Sequence, residues 1–168
     1  IHKANIYYRD QMWRIEHQST GPVNVSIVRK DKQVVWLLLS RMKHFKTMPY
    51  SPEHDLRVNE KLDGEVSRQE IGTEVREGHP TVLYEVTTKR GEQVEVYYQW
   101  IATDIHFPMK LARKDGSWIM EYQHVKLRSV SDYLFNLPVN FQPLEDFKKQ
   151  EEPEPAGPGM SRNKEAGL

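Results

Sequence analysis

The sequence predicts a mainly β fold, a curved antiparallel sheet with little helix. Three observations carry that prediction. Apolar residues recur with period two in short runs. Turn-forming residues separate those runs at close intervals. The runs themselves are rich in Val, Ile, Trp, Tyr and Phe, the side chains that suit a pleated, half-buried surface. A length of 168 residues suits one domain with a tail. The divisions expected are a β domain over 1–147, with a polar lid-like loop or short helix at 51–72, and a tail over 148–168.

Taken in order, Ile6 to His17 opens the sheet, with Trp13 and Ile15 on one parity and Met12 and Arg14 on the other. Ser19-Thr20-Gly21-Pro22 turns the chain, and Val23, Val25 and Ile27 share a face of the next strand. After a turn at Arg29-Lys30-Asp31-Lys32 comes Val34 to Leu39, apolar without alternation. A run of that kind is covered on both faces and belongs in the middle of a sheet. Lys43 to Met48 pairs back. Ser51 to Gly72 is polar, with Ser51-Pro52-Glu53 suited to start a helix. Thr81 to Thr88 is a strand closed by Lys89-Arg90-Gly91-Glu92. In the next strand Val94, Val96, Tyr98 and Trp100 share one parity against Glu95 and Gln99. Ile105, Phe107, Met109 and Leu111 repeat the pattern, and Lys114-Asp115-Gly116-Ser117 predicts a type I′ hairpin turn. Trp118, Met120 and Tyr122 then share a face. From residue 148 the chain is rich in Pro, Gly and Glu and lacks the apolar residues of a core.

Composition narrows function by exclusion. Twenty-four basic and 24 acidic residues cancel, which speaks against a nucleic-acid binder, since counterion release needs a positive excess. No cysteine is present, so disulfides, thiolate metal sites and thiol nucleophiles are excluded. The longest apolar run, Val34 to Leu39, is far short of the ~18–20 residues of a spanning helix. No Gly-rich phosphate loop, HExxH or GxSxG occurs, and no cofactor is expected.

The remaining chemistry has plain readings. Glu16, Glu85, Glu95 and Glu121 fall mostly opposite the apolar parity, as on a solvated face with cross-strand cations. His17, His106 and His124 would bind a metal only if separate strands brought them together; otherwise they are hydrogen-bonded strand and turn residues. Asn24-Val25-Ser26 matches a glycosylation sequon, a short motif common by chance. Neither a catalytic residue nor a metal site is expected. The unusual feature is a stripe of large apolar side chains: Trp36, Leu38, Val96, Tyr98, Trp100, Phe107, Met109, Trp118, Met120 and Tyr122. It is either an ordinary core or an open cleft for an apolar ligand, to which adaptable Met and amphipathic Trp and Tyr are suited.

Several stretches, in order, carry a resemblance. They are Trp13-Arg14-Ile15-Glu16-His17, Ile27 through Leu38, Lys43 through Pro49, Gly72-Thr73-Glu74-Val75 with Gly78-His79-Pro80, Trp100 followed by Phe107-Pro108-Met109-Lys110, and Leu134 through Pro138. Over about residues 5–143 this order resembles the LolA-like family of periplasmic lipoprotein carriers. The resemblance implies an unclosed antiparallel β-barrel with a hydrophobic concave face beneath a lid, here the 51–72 segment. It implies a periplasmic protein whose leader has been removed, sheltering the acyl chain of a lipid or lipoprotein without covalent chemistry, and an inner- or outer-membrane protein as delivery partner. The alternative is a non-carrier envelope interaction module with a closed, filled core.

Overall fold

The computed structural model describes residues 1–144 and arranges them as two sheets, neither of them closed. The predicted tail over 148–168 lies outside the described residues. The first sheet holds β1 (Ala4–Arg9), β2 (Met12–His17), β3 (Val25–Arg29), β4 (Val34–Leu39) and β5 (His44–Pro49) as an antiparallel meander. The second is a meander of β6 (Glu65–Arg76), β7 (His79–Arg90), β8 (Gln93–Ala102), β9 (Phe107–Arg113) and β10 (Ile119–Glu121). A two-residue strand, β11 (Gln142–Pro143), returns to the first sheet and pairs parallel to β5. The chain is thus mainly β and antiparallel, as the period-two pattern predicts, but the strands divide at residues 50–64.

That division corrects two expectations. Ile6 to His17 is not one strand: Asp10, at a positive φ of 44°, turns the chain between β1 and β2. The 51–72 segment is neither a helix of useful length nor a loop throughout. A short 3-10 turn at Pro52–His54 begins it, residues 55–64 run on as a strap, and Glu65 starts the twelve-residue β6. β6 is an edge strand of its sheet, and Val66, Ile71 and Val75 on it are exposed, so burial imposes no alternation on its sequence. Its pairing with β7 slips at two bulges, between Glu65 and Ser67 and between Glu70 and Gly72.

β4 is central, between β3 and β5, and both its faces are covered. On one face Trp13, Val28 and Val35 pack with Ile15, Leu37 and Met48, and Tyr50 and Leu56 close over them. The Trp13 indole N–H donates to the His54 carbonyl at 3.1 Å and ties this cover down. On the other face Val25, Ile27 and Leu38 pack with Trp36 and Phe45 under Leu137 and Phe141. The cover here comes from a second strap, residues 122–141, with a 3-10 turn at Asp132–Phe135 that buries Phe135 completely. Three arginines, one on each of β1, β2 and β3, share this face by register and reach into the strap. Arg9 donates to the Val130 carbonyl and pairs with Asp132. Arg14 donates to the Leu134 carbonyl, and Arg29 to the Phe135 carbonyl and Asn136 Oδ1.

Turn chemistry sets the hairpins of the second sheet. Glu77 and Gly78 both take positive φ (48° and 84°), the type I′ geometry that matches strand twist. The predicted type I′ turn at Asp115-Gly116 is different. Only Gly116 is left-handed, at 77°, while the Asp115 carboxylate accepts the Ser117 N–H at 2.9 Å and holds a longer turn.

Candidate functional site

The second sheet presents two unlike faces, and cross-strand register assigns each residue to one of them. Val86 lies opposite Tyr97, and Tyr97 opposite Arg113. One row along, Tyr84 faces Gln99 and Gln99 faces Leu111, which in turn faces Met120. This is the strap face. Val86, Tyr97 and Leu111 form its buried cluster, Leu62 of the strap caps it, and Tyr84, Trp118 and Met120 flank it.

Polar groups sit in the middle of this face. Gln99 is 1% exposed and donates weakly to the Asn59 carbonyl at 3.4 Å, leaving its Oε1 unpartnered. Arg68, held by Glu65, donates to the Glu60 carbonyl at 2.7 Å and leaves Nη1 unpartnered. The Tyr122 hydroxyl is the third buried atom without a partner. Burial pushes its pKa up to about 12, against an opposing pull from the nearby Arg57 guanidinium. All three orphaned atoms belong to the strap face. Buried polar groups left unpaired cost about 1–3 kcal/mol each, so this floor is not built as a plain apolar core.

Beside the floor is a cleft of about 330 Å³ lined by Arg57, Tyr97, Arg113, Ser117 and Trp118. Arg57 lies on the Trp118 ring, 5.2 Å from its centroid. Glu95 accepts from Arg113 at 2.7 Å and from the Tyr97 hydroxyl at 2.5 Å. A second cleft of about 420 Å³ is formed by Thr73, Glu74, Val75, Pro80, Thr81, Val82 and Thr103, beside the turn that joins β6 to β7.

The opposite face is the open one. Leu83 pairs with Trp100 and Glu85 with Tyr98 across β7 and β8, and Trp100 pairs with Lys110 on β9. Trp100 lies between two cations: Arg76 is 5.8 Å and Lys110 4.7 Å from its ring centroid. Tyr98 meets Trp100 edge-on at 6.4 Å and carries Lys114 at 5.8 Å. Arg76 is itself paired with Glu74 and Glu121, and Lys114 with Glu85 at 2.7 Å; those bonds hold both cations above their ordinary pKa ranges. Lys110 has no carboxylate partner among the described residues.

The ten predicted lining residues therefore do not share one surface. Trp36 and Leu38 belong to the first sheet, beneath the second strap. Val96, Tyr98 and Trp100 lie on the open face. Met109, Trp118, Met120 and Tyr122 lie on the strap face, with Phe107 5.3 Å from the Tyr122 ring. The parity of β8 is the point of divergence: Tyr97, Gln99 and Ile101 are buried where Val96, Tyr98 and Trp100 were expected. The histidines do not converge either. His17 bonds His2 and Ser26, His106 lies 3.5 Å from Glu60, and His124 lies near Glu77. Among the described residues no group of three or more potential metal ligands comes together. Asn24 of the sequon uses its Oδ1 to accept the Ser40 N–H at 3.0 Å.

Sequence reasoning missed Arg57, Arg68 and Gln99. Each is polar, and two stand in a segment without periodicity. The signal that points to them is that β8 offers three consecutive large residues, Val96-Tyr97-Tyr98, so its parity is ambiguous.

Scans against family models, curated proteins and solved structures give no match for this chain.

Proposed function

We propose that the chain is a non-catalytic interaction module that docks a partner protein on the open face of its five-stranded sheet. The observation that carries this reading is the Trp100 ring, half-buried between Arg76 and Lys110 and part of none of the buried clusters among the described residues. Trp, Tyr and Arg are the side chains in which binding energy concentrates at protein interfaces, where each combines large area with a directed polar group. The charge pattern names the partner's chemistry. Arg76 and Lys114 are already neutralised by Glu74, Glu121 and Glu85, whereas Lys110 has no such partner among the described residues. A protein segment with a carboxylate beside an apolar side chain fits, the carboxylate on Lys110 and the apolar group on Leu83 and Trp100.

A second reading is favoured by one observation. Trp118 and Met120 flank the cluster that Leu62 caps, and Tyr122 lies by Arg57, on a strap that falls within the predicted 51–72 lid. An acyl chain displacing Leu62 from that face would make the chain a carrier, as the resemblance to periplasmic lipoprotein carriers implies. The buried Gln99 at the centre of the same face weighs against it.

Selection of random peptides on the immobilised chain tests the first reading. Peptides pairing Asp or Glu with an apolar neighbour are expected. Trp100→Ala should weaken them at least about tenfold, as loss of a central aromatic anchor does. Peptides without an acidic residue, or indifferent to Trp100→Ala, overturn it. Acyl chains in an organic extract of the native protein would favour the second.

A further inference from the structure

We infer that the Arg57–Arg113–Trp118 cleft on the strap face is a binding site for the carboxylate of a small aromatic or apolar monoanion. The inference does not depend on the docking face, which is on the other side of the sheet.

The two guanidiniums come from different parts of the chain. Arg113 ends β9, and Arg57 stands on the strap, brought over the sheet by the Leu62 anchor a few residues later. Their states differ. Arg113 directs Nη2 at Glu95, which also accepts from Tyr97, so this cation is matched by a carboxylate. The Arg57 guanidinium has neither a hydrogen bond nor a carboxylate among the described residues; its contact is the Trp118 ring. A guanidinium laid on an indole keeps its edge N–H groups free while its plane is fixed. That plane matches a carboxylate, which accepts two parallel N–H bonds, better than it matches a spherical anion.

The charge count then sets the ligand. Arg113 is matched by Glu95 and lies in the field of Asp115, which leaves Arg57 as the lining cation with no carboxylate partner among the described residues. Asp115, at the adjoining turn, is engaged by the Ser117 N–H and lies on the Arg113 side of the cleft. One unpaired guanidinium suits a monoanion. The volume, about 330 Å³, lies at the low end of the ~300–1,000 Å³ range of small-molecule sites. Trp118 and Tyr97 supply the apolar wall for the body attached to the carboxylate. The buried Tyr122 hydroxyl, close to the Arg57 backbone and within the field of its guanidinium, is a further polar group on the same side.

The test uses the full chain labelled with ¹⁵N and follows the Trp118 indole resonance. Titration with sodium benzoate should give a saturable shift, and benzyl alcohol of the same shape should bind at least about tenfold more weakly, the loss expected when a charge-assisted hydrogen-bond pair is removed. Arg57→Gln should weaken benzoate by a similar factor. Glu95→Gln, which keeps an acceptor for Tyr97 and Arg113 but removes the opposing charge, should tighten it. Trp100→Ala should leave the titration unchanged, separating this site from the docking face. Equal binding of acid and alcohol, a benzoate response unaltered by Arg57→Gln, or weaker binding in Glu95→Gln overturns the assignment.

Discussion

Replacing Phe135 by Ala isolates the contribution of the second strap. The ring is completely buried, on a strap that the Arg9, Arg14 and Arg29 guanidiniums hold to the first sheet. Truncating a fully buried Phe costs about 3–5 kcal/mol, the lost transfer free energy plus the cavity. Total stability of a domain is about 5–15 kcal/mol, so the variant should remain folded with a large part of its margin gone. For a chain of this length the melting midpoint should fall by about 6–20 °C. The distribution of the loss is more telling than its size. Each sheet has its own buried cluster and no ladder joins them, so amides of β2, β3 and β4 should lose hydrogen-exchange protection while those of β7, β8 and β9 keep it. A loss below about 1 kcal/mol would refute the packing argument. Equal loss of protection in both sheets would refute their independence.

Two further outcomes are expected. Gly64 sits at a φ of 73° with the Lys89 carbonyl oxygen 2.7 Å from where a Cβ would stand, so Gly64→Ala should cost about 1–3 kcal/mol. Gly72→Ala, with open space at that position, serves as the control in the same urea series. The Glu65 carboxylate accepts from Arg68 at 2.8 Å and from the Leu62 N–H at 3.0 Å, and the Arg68 bond chiefly holds its pKa below the ordinary 4.5. A lowered folded-state value means this stabilisation is complete above the unfolded value and is lost as pH falls through the folded one. The urea midpoint should therefore drop as pH is lowered through and below the ordinary glutamate range, and Glu65→Gln should flatten that drop; an unchanged slope would discount the pair.

What the sequence made legible follows from what burial does to it. Val34 to Leu39 is apolar throughout because two straps cover β4, and its central place could be read directly. Leu111, Trp118 and Met120 were legible as large apolar residues at alternate positions, and the structure packs them in or against one cluster. β8 misled because its open face is as apolar in composition as its buried one. Tyr98 and Trp100 stay half-exposed under Lys114, Arg76 and Lys110, whereas Gln99 is buried against the strap. Alternation counts side chains, and cannot count the cations that lie over them. β6 was invisible for the opposite reason: as an edge strand it buries little, and its charges read as a loop.

The two bulges in β6 bear on how this molecule behaves when crowded. A long, regular outer strand invites a neighbour to zip onto its unused amides, copy after copy, toward fibres. The irregular steps at Val66 and Ile71 interrupt that spacing, and Glu70, Glu74 and Arg76 place charge along the same rim. Concentrated solutions should thus resist sheet-on-sheet growth through the rim where the exposed valines would otherwise promote it.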